Sequence, residues 1–437
     1  MFHTILPRQN MILDRTKAPR IQEVGQANYL KVEKHSLFNT RFIHRLPSQQ
    51  SDLISMVLCF DGSFDTQHNN QLIHVLCGLM FSGTKQHPRQ KLAQALDYYG
   101  AYFQCSAKEK HIEIEVFFLQ RFLSDIVPIF ATVLQDLDLH EQEVDLAIQR
   151  GIKNLNVSKQ KVDFVAKQTF NKHIFGEKHP LGRQSRQQDL ETISSTQLMK
   201  VYDQLIKNQS FDLYLTGGFS SKDEAFIIEQ LSQQVDESKP KAQSLVFDTD
   251  LEPKQTRIHI PMPENMQTAI RVGFSCPGAA DPNALNHKIL NYVLGGYFGS
   301  RLMKNIREDK GYTYGIGSSL LFNTGPAVFS IQTEVGSAYA EDCLKQIEIE
   351  IKTLCEEPIS NTELEAVKNK MLGRILESSD GLFRQATVYK SLYVKGFELQ
   401  RQFDFIDSIK AMTPDRLQKT AQRFFRPSEL LWVTAGV

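Results

Sequence analysis

The sequence predicts an α+β protein made of two homologous domains, each a mainly antiparallel β-sheet with helices packed on one face. Three observations support this prediction. The chain has 437 residues, 41% of them hydrophobic, and a single hydrophobic core seldom grows beyond about 250–300 residues. The same order of strand-like and helix-like segments occurs twice. Two segments half a chain length apart also share one pattern, a capped helix followed by an apolar strand.

The elements of the first copy follow from the spacing of apolar residues in the first half. Alternating or continuous apolar residues predict three strands, at 54–60, 102–107 and 112–118. Apolar residues at helical spacing predict four helices, at 69–81, 89–98, 122–137 and 141–159. Such a set can bury one face of a sheet beneath helices.

The second half repeats this order. It contains four strand-like segments, at 257–260, 268–275, 312–320 and 327–334. It also contains four helix-like segments, at 283–294, 302–308, 339–356 and 361–377. A repeat of half the chain indicates duplicated domains rather than a solenoid, whose units recur every 20–50 residues or so.

Each copy ends in a capped helix and an apolar strand. Ser194 precedes a helical segment that leads to the run 211–218, and Thr413 precedes one that leads to 430–436. Serine and threonine are preferred N-cap residues, because their side-chain oxygen accepts a hydrogen bond from the first helical turn. The matching ends strengthen the case for a duplication.

A linker separates the two copies. Residues 236–244 are polar and contain a proline, which is typical of connecting segments. We therefore place the boundary near residue 240, which divides the chain into domains 1–240 and 241–437. A short strand-like segment at 244–247 could dock on either domain.

Composition excludes several classes of function. The 50 basic and 50 acidic residues cancel, and no long run of one sign predicts a nucleic-acid surface or a basic membrane patch. The six cysteines form no C-x-x-C pair, which argues against a zinc ribbon and a disulfide framework. We expect them to be buried thiols.

The chain carries no recognisable targeting segment. The first 20 residues lack the apolar run of a signal peptide. No stretch of about 18 apolar residues is present to span a bilayer. We therefore expect a protein without a membrane segment that resides in the cytoplasm.

The segment from His74 to Gly78 has the outline of the inverted zinc motif H-x-x-E-H, in which two histidines bind zinc and the glutamate is the general base. His74 occupies the first histidine position, Cys77 the glutamate position and Gly78 the second histidine position. His74 and Cys77 together offer only two ligands. Taken alone, His74 is explained better as a partly buried helix residue with a satisfied imidazole. Glycine within a helix predicts close helix packing at Gly78.

Further motifs resemble the insulinase or pitrilysin family of zinc metallopeptidases, in its processing-peptidase-like branch. Residues 179–183, His-Pro-Leu-Gly-Arg, are similar to the family's P-L-G-R segment. Residues 295–308 followed by 311–315 are similar to its most diagnostic block. The resemblance extends over nearly the whole chain and implies the duplicated fold described above.

The resemblance also implies which site residues are present. The family's third zinc ligand is a glutamate whose position falls near Asn154, where no carboxylate stands. The resemblance therefore implies that the zinc site is lost. The family's arginine and tyrosine, seven residues apart, match Arg307 and Tyr314. Such a pair can donate hydrogen bonds to a peptide carbonyl and to the oxyanion formed during hydrolysis. Tyr312 lies two residues short of this spacing.

These implications favour a non-catalytic subunit of a heterodimeric peptidase. A partner with an intact H-x-x-E-H would hold the zinc, this chain would bind no cofactor, and its Arg307 and Tyr314 would complete the partner's cleft. The substrates would be unfolded peptides, and the sheet edge near 101–107 would be an accessory peptide surface. A homodimer remains open.

Two alternatives stay beside this hypothesis. One is a structural or interaction protein of the same fold without a proteolytic role. The other is a self-sufficient peptidase with an unusual metal site, which Cys77, Gly78 and Asn154 oppose. The glycine-rich run at 295–299 lacks the G-K-[ST] ending of a nucleotide-binding loop. It predicts a flexible or tightly turned link between two helices, and the resemblance implies that such a loop can touch substrate.

Overall fold

A computed structural model describes residues 27–63, 70–233, 235–237, 256–322 and 326–437. The predicted boundary near residue 240 and the strand-like segment 244–247 lie outside these ranges. In the described part of the chain, no helix combines the length and the apolarity needed to cross a bilayer.

The first half forms a six-stranded sheet in the described residues. Its strands are β1 Glu33–Phe38, β2 Arg41–Pro47, β3 Leu53–Asp61, β4 Tyr102–Ala107, β5 His111–Leu119 and β6 Phe211–Gly217. Their order across the sheet is β1-β2-β6-β3-β5-β4. All neighbours are antiparallel except β2 and β6, which run parallel.

The helices of the first half are α1 Asn70–Leu79, α2 Arg89–Tyr99, α3 Leu123–Gln135, α4 Glu141–Lys159, α5 Val162–Phe175, α6 Gln187–Glu191, α7 Ser195–Leu205 and α8 Ser221–Ser232. The hydroxyl of Ser194 caps α7 by accepting a hydrogen bond from the backbone of Gln197, as predicted. Ser220 caps α8 in the same way. Each cap satisfies a backbone N–H group that the helix itself leaves without a partner.

The second half forms a five-stranded sheet in the described residues. Its strands are β7 Thr256–Pro261, β8 Gln267–Cys276, β9 Ile316–Leu321, β10 Ala327–Gly336 and β11 Leu431–Gly436, in the order β7-β11-β8-β10-β9. Its helices are α9 Ala284–Gly295, α10 Ala340–Glu356, α11 Asn361–Ser379, α12 Leu382–Tyr393, α13 Gln400–Lys410 and α14 Pro414–Phe424, and a π-helix covers Met303–Asp309.

The two sheets share one topology. In each, the last strand of the half lies between two earlier strands, parallel to one and antiparallel to the other. Strand β6 lies in this way between β2 and β3, and β11 between β7 and β8. Strand β1 adds an extra edge to the first sheet. The predicted α+β class and its duplication are confirmed.

Some elements differ from the prediction. Residues 312–315 form a loop, so β9 begins at Ile316 rather than at Tyr312. The predicted helix at 302–308 is a π-helix over most of its length. Strand β2 escaped prediction because its basic residues interrupt the apolar pattern.

Each half also sends one helix onto the outer face of the other half's sheet. Helix α5 of the first half packs against β8, β10 and β11, where Phe170 is buried together with Val433. Helix α12 of the second half packs against the first sheet, where Tyr389 and Tyr393 contact Tyr214. Each sheet therefore has helices of its own half on one face, as predicted, and a helix of the other half on the second face.

His44 lies in this second interface. Its ring stacks on Tyr214 with centroids 4.4 Å apart, and its Nδ1 lies 2.9 Å from the hydroxyl of Tyr389. The residue is only 2% exposed. Burial, with a smaller contribution from the charge of Lys34, lowers the pKa of His44 to about 4.

This low pKa predicts that stability decreases at acidic pH. An unfolded histidine has a pKa near 6.5, so the unfolded chain binds more protons than the folded chain between about pH 6.5 and pH 4. The free energy of unfolding should therefore fall as the pH drops through this window, by about 3 kcal/mol from His44. In urea unfolding followed by circular dichroism, His44→Gln should lose less stability than the wild type between pH 7 and pH 4.

Burial also lowers the pKa of His179 to about 4. Both the wild type and His44→Gln keep His179, so its effect on stability is the same in both, and the difference between their losses comes from His44. Equal losses in the wild type and in His44→Gln would contradict the assignment.

Candidate functional site

Arg307 and Tyr314 lie next to each other. Nε of Arg307 donates a hydrogen bond to the backbone carbonyl oxygen of Tyr314, at 3.0 Å. The centre of the guanidinium group lies 4.5 Å from the centroid of the Phe298 ring, a cation–π contact. These two contacts orient Arg307 and leave its terminal nitrogens available as donors to a bound molecule.

The side chain of Tyr314 is 95% exposed. Its loop is nevertheless well held. The hydroxyl of Thr313 donates to the carbonyl of Glu334 at 2.7 Å, and the hydroxyl of Thr333 donates to the carbonyl of Gly315 at 3.0 Å. The loop thus presents a phenol to the exterior from a fixed backbone.

Tyr312, the nearby alternative, has a different environment. Its ring stacks on Tyr339 with centroids 4.6 Å apart, and its hydroxyl donates to Asp342 at 2.9 Å. Tyr312 therefore fastens the loop to the domain, and Tyr314 is the tyrosine left free to contact another molecule.

The glycine-rich run joins α9 to the π-helix by a tight rather than a flexible link. A Cβ atom on Gly295 would lie 2.5 Å from the backbone nitrogen of Ser318, so any larger residue would separate α9 from β9. The π-helix Met303–Asp309 begins soon afterwards and carries Arg307. Such π-helical turns are rare in proteins overall, but they often occur at functional sites. The sequence pattern distinguishes them poorly from α-helix.

A polar cleft of about 440 Å³ adjoins Tyr314. Arg271 of β8 lies in it, and its Nη2 donates to Asp163 of α5 at 2.7 Å. Burial, together with the charge of Asp163, raises the pKa of Glu334 on the same cleft wall. Because Asp163 comes from the first half, both halves build this cleft. No local sequence signal could have joined Asp163 to Arg271, which are 108 residues apart.

The outline of the zinc motif lies on α1, far along the chain from this pair. His74 and Gly78 are exposed, whereas Cys77 is 7% exposed and belongs to the core of the first half. Contact with the Cys77 thiol, together with burial, raises the pKa of Cys105 on β4. The side chain of Cys77 is therefore directed at β4.

These residues do not fit a catalytic zinc ion. Asn154 is exposed on α4, which packs against α1, and offers a neutral amide where the resemblance implies a carboxylate. Gly78 offers no side chain, and Cys77 is turned into the core. A catalytic zinc needs three protein ligands and one open position.

One expectation about this helix is wrong. Gly78 was predicted to mark close helix packing, but a Cβ atom there would meet no heavy atom within 4 Å. The glycine is therefore not required by packing.

Gly78→Ala should accordingly stabilise the protein. Alanine in a helix is favoured over glycine by roughly 0.5–1 kcal/mol, and the site has room for the methyl group. The free energy of unfolding in urea should rise by about that amount. A decrease would show that the glycine has a packing role after all.

The duplicated fold and the outline of a zinc motif on α1 define a metallopeptidase-like protein. The family model described as insulinase (peptidase family M16) matches residues 45–183. The model described as peptidase M16 inactive domain matches residues 192–371. The two matches cover most of the chain, which therefore belongs to peptidase family M16. The family inferred from the sequence motifs is confirmed.

Relatives of similar length are found in bacteria. The chain is 22% identical over 410 residues to an uncharacterized zinc protease of Rickettsia bellii, a match that covers 89% of this chain and 93% of the relative. It is 22% identical over 390 residues to the uncharacterized zinc protease YmxG of Bacillus subtilis, covering 87% and 91%.

Solved structures share the fold. A peptidase M16 inactive domain from Pseudomonas fluorescens superposes with a TM-score of 0.83 at 19% identity, covering 93% of this chain and 98% of that one. A protease from Helicobacter pylori superposes with a TM-score of 0.82 at 15% identity, covering 94% and 100%. At these identities the likeness establishes the fold alone.

Proposed function

We propose that this chain is the non-catalytic subunit of a heterodimeric zinc metallopeptidase. Its Arg307 and Tyr314 enter the cleft of a partner that carries an intact H-x-x-E-H and the zinc ion. The observation that carries the proposal is the exposure of Tyr314 together with the fixed position of the partly exposed Arg307. Tyr314 is 95% exposed on a fixed loop, and Arg307 is oriented beside it.

The chemistry of the pair suits hydrolysis of a peptide bond. Attack of water on the peptide carbonyl creates an oxyanion, which hydrogen-bond donors stabilise. A guanidinium group offers several donors in a fixed plane, and a phenol offers one. Nε of Arg307 already donates to the backbone carbonyl of Tyr314. The remaining guanidinium nitrogens and the Tyr314 hydroxyl are therefore the groups that we assign to the substrate.

The residues of α1 support the non-catalytic part of the proposal. His74 has no second histidine four residues later, and the general-base position holds the buried Cys77. The exposed Asn154 does not replace the missing carboxylate. The zinc ion of the assembled enzyme therefore belongs to the partner, and this chain alone does not cleave peptides.

The substrate class follows from the shape of such a site. An unfolded peptide can reach the exposed Tyr314 and the partly exposed Arg307 beside it in an extended form, and the polar cleft beside Tyr314 can accept one of its side chains. The edge strand β4 offers a second, accessory place where an extended peptide can add to a sheet.

Reconstitution tests the proposal. The chain is purified alone and together with the H-x-x-E-H subunit encoded nearest to it, and hydrolysis of an unstructured fluorogenic peptide is measured. We expect no chelator-sensitive hydrolysis by the lone chain and stimulation of the partner on mixing. Chelator-sensitive hydrolysis by the lone chain would overturn the proposal, and a pair that forms without any gain in activity would favour a structural role.

A further inference from the structure

A second cluster of possible metal ligands lies on the outer face of the first sheet. Cys59 of β3 pairs directly with Glu113 of β5, and His111 lies two residues before Glu113 on the same face. The Sγ, Nε2 or Nδ1, and carboxylate oxygen atoms of these residues all lie within 4.8 Å of one another. We propose that Cys59, His111 and Glu113 bind one divalent transition-metal ion of the zinc class.

The ligand types and spacing suit this class of ion. Zinc accepts thiolate, imidazole and carboxylate ligands in tetrahedral geometry, with Zn–N and Zn–O distances near 2.0–2.2 Å. Two such ligands at a tetrahedral angle are therefore about 3.3–3.5 Å apart. Nε2 of His111 lies 3.5 Å from Oε2 of Glu113, which matches this spacing. The same distance is long for a hydrogen bond.

Burial also favours a bound ion. Cys59 is 5% exposed, and the side chains of His111 and Glu113 are 15% and 13% exposed. Nε2 of His111 is buried without a well-formed hydrogen bond in the described part of the chain. A buried polar atom without a partner costs free energy, and a metal bond would satisfy it.

Charge balance points the same way. Glu113, Asp61 and Asp212 are the carboxylates around Cys59, and Lys390 and Arg41 are the cations that form ion pairs with them. These ion pairs leave one carboxylate in excess, and a divalent ion that replaces the thiol proton would offset it.

Lys390 does not block the site. Its Nζ bonds Oε1 of Glu113, whereas Oε2 faces His111. Lys390 belongs to α12, so the second half would hold the carboxylate that binds the ion, as outer-shell groups commonly do.

This site is separate from the outline of the zinc motif on α1. The strand residues that pack toward α1 are Met56, Leu58 and Ile114, which alternate with Cys59 and Glu113. The two places therefore lie on opposite faces of one sheet. Metal at the new site would leave the non-catalytic role of the chain unchanged, so the proposal stands independently of the proposed function.

Cobalt binding tests the proposal with the full-length chain. The purified protein is stripped with a chelator, dialysed and titrated with Co²⁺, followed by absorption of the thiolate-to-cobalt charge-transfer band, and then with Zn²⁺ as competitor. We expect one Co²⁺ per chain, with the charge-transfer band lost in Cys59→Ser. In Glu113→Gln, affinity should fall by at least about 100-fold, because losing even an outer-shell group costs about 10–100-fold.

The control variants are His74→Ala and Cys77→Ser, which should bind Co²⁺ like the wild type. Circular dichroism establishes that each variant is folded, and Glu113→Gln provides a second readout if Cys59→Ser does not fold. A folded wild type that binds no Co²⁺ would overturn the proposal. Binding that survives in Cys59→Ser, or that is lost in Cys77→Ser, would do the same.

Discussion

Peptide hydrolysis by the heterodimer is expected to fall by about 10²–10³ when Arg307 of this chain is replaced by alanine. The reason is that a donor aimed at the developing oxyanion stabilises the transition state more than the bound substrate. The loss should therefore appear in kcat. Tyr314→Phe removes only a hydroxyl from an exposed ring and should lower kcat in the same direction.

Tyr314→Phe should fold normally, because exposed substitutions usually change the free energy of unfolding by less than about 0.5 kcal/mol. Arg307 is partly exposed and bonds the Tyr314 carbonyl, so unfolding in urea is measured to check that Arg307→Ala is folded. Arg426→Ala is a matched control. Arg426 is an exposed arginine of the same half that pairs with Glu429, away from the site. Full activity of a heterodimer with Arg307→Ala would exclude a role for this arginine in the partner's cleft.

The second large effect concerns stability. Phe170→Ala should lower the free energy of unfolding by about 3–5 kcal/mol, the usual cost of truncating a buried phenylalanine. Phe170 is 2% exposed and lies between α5 of the first half and the sheet of the second half. Its ring fills the space above Gly273, where a Cβ atom would lie 2.9 Å from the ring.

The sole tryptophan gives a convenient probe. Trp432 lies on β11, which α5 contacts, and is 3% exposed. Its side chain lies in the core of the second half, on the face of β11 opposite α5, so its fluorescence in urea reports the unfolding of the sheet that α5 covers. Lys167→Ala, an exposed position on the same helix, should leave the unfolding curve nearly unchanged. A cost below about 1 kcal/mol for Phe170→Ala would show that the two halves do not depend on this contact.

Much of the fold followed from local patterns. Strands such as β4 and β5 alternate apolar and polar residues, and helix α4 matched its predicted bounds, Glu141–Lys159. The caps at Ser194 and Thr413 marked helix starts correctly. These elements were predictable because their buried residues recur at the regular spacing of a strand or a helix, which is visible within one segment of the sequence.

The exchange of helices between halves was not predictable in this way. Helices α5 and α12 cover sheets that are distant in sequence, and a helix does not encode which sheet it will contact. The same limit applies to the site. The spacing of Arg307 and Tyr314 follows from family motifs, whereas Asp163 and Arg271 meet only through the packing of α5.

Pairing across strands explains why the cluster at Cys59 escaped the sequence pattern. Cys59, His111 and Glu113 are adjacent across two strands, not along one segment. Metal-ligand spacing within one segment is a local signal, but cross-strand pairing depends on the register of the whole sheet. The pairing of β3 with β5 was needed to place these side chains together.

Substitutions placed in one subunit at a time show which subunit supplies the arginine and the tyrosine. Heterodimers are assembled with the Arg307→Ala and Tyr314→Phe changes in this chain only, or with the equivalent changes in the H-x-x-E-H partner only, and kcat for an unstructured peptide is measured. We predict a loss of at least about 10²-fold for changes in this chain and little loss for changes in the partner. The reverse pattern would contradict the assignment of this chain as the subunit that completes its partner's active site.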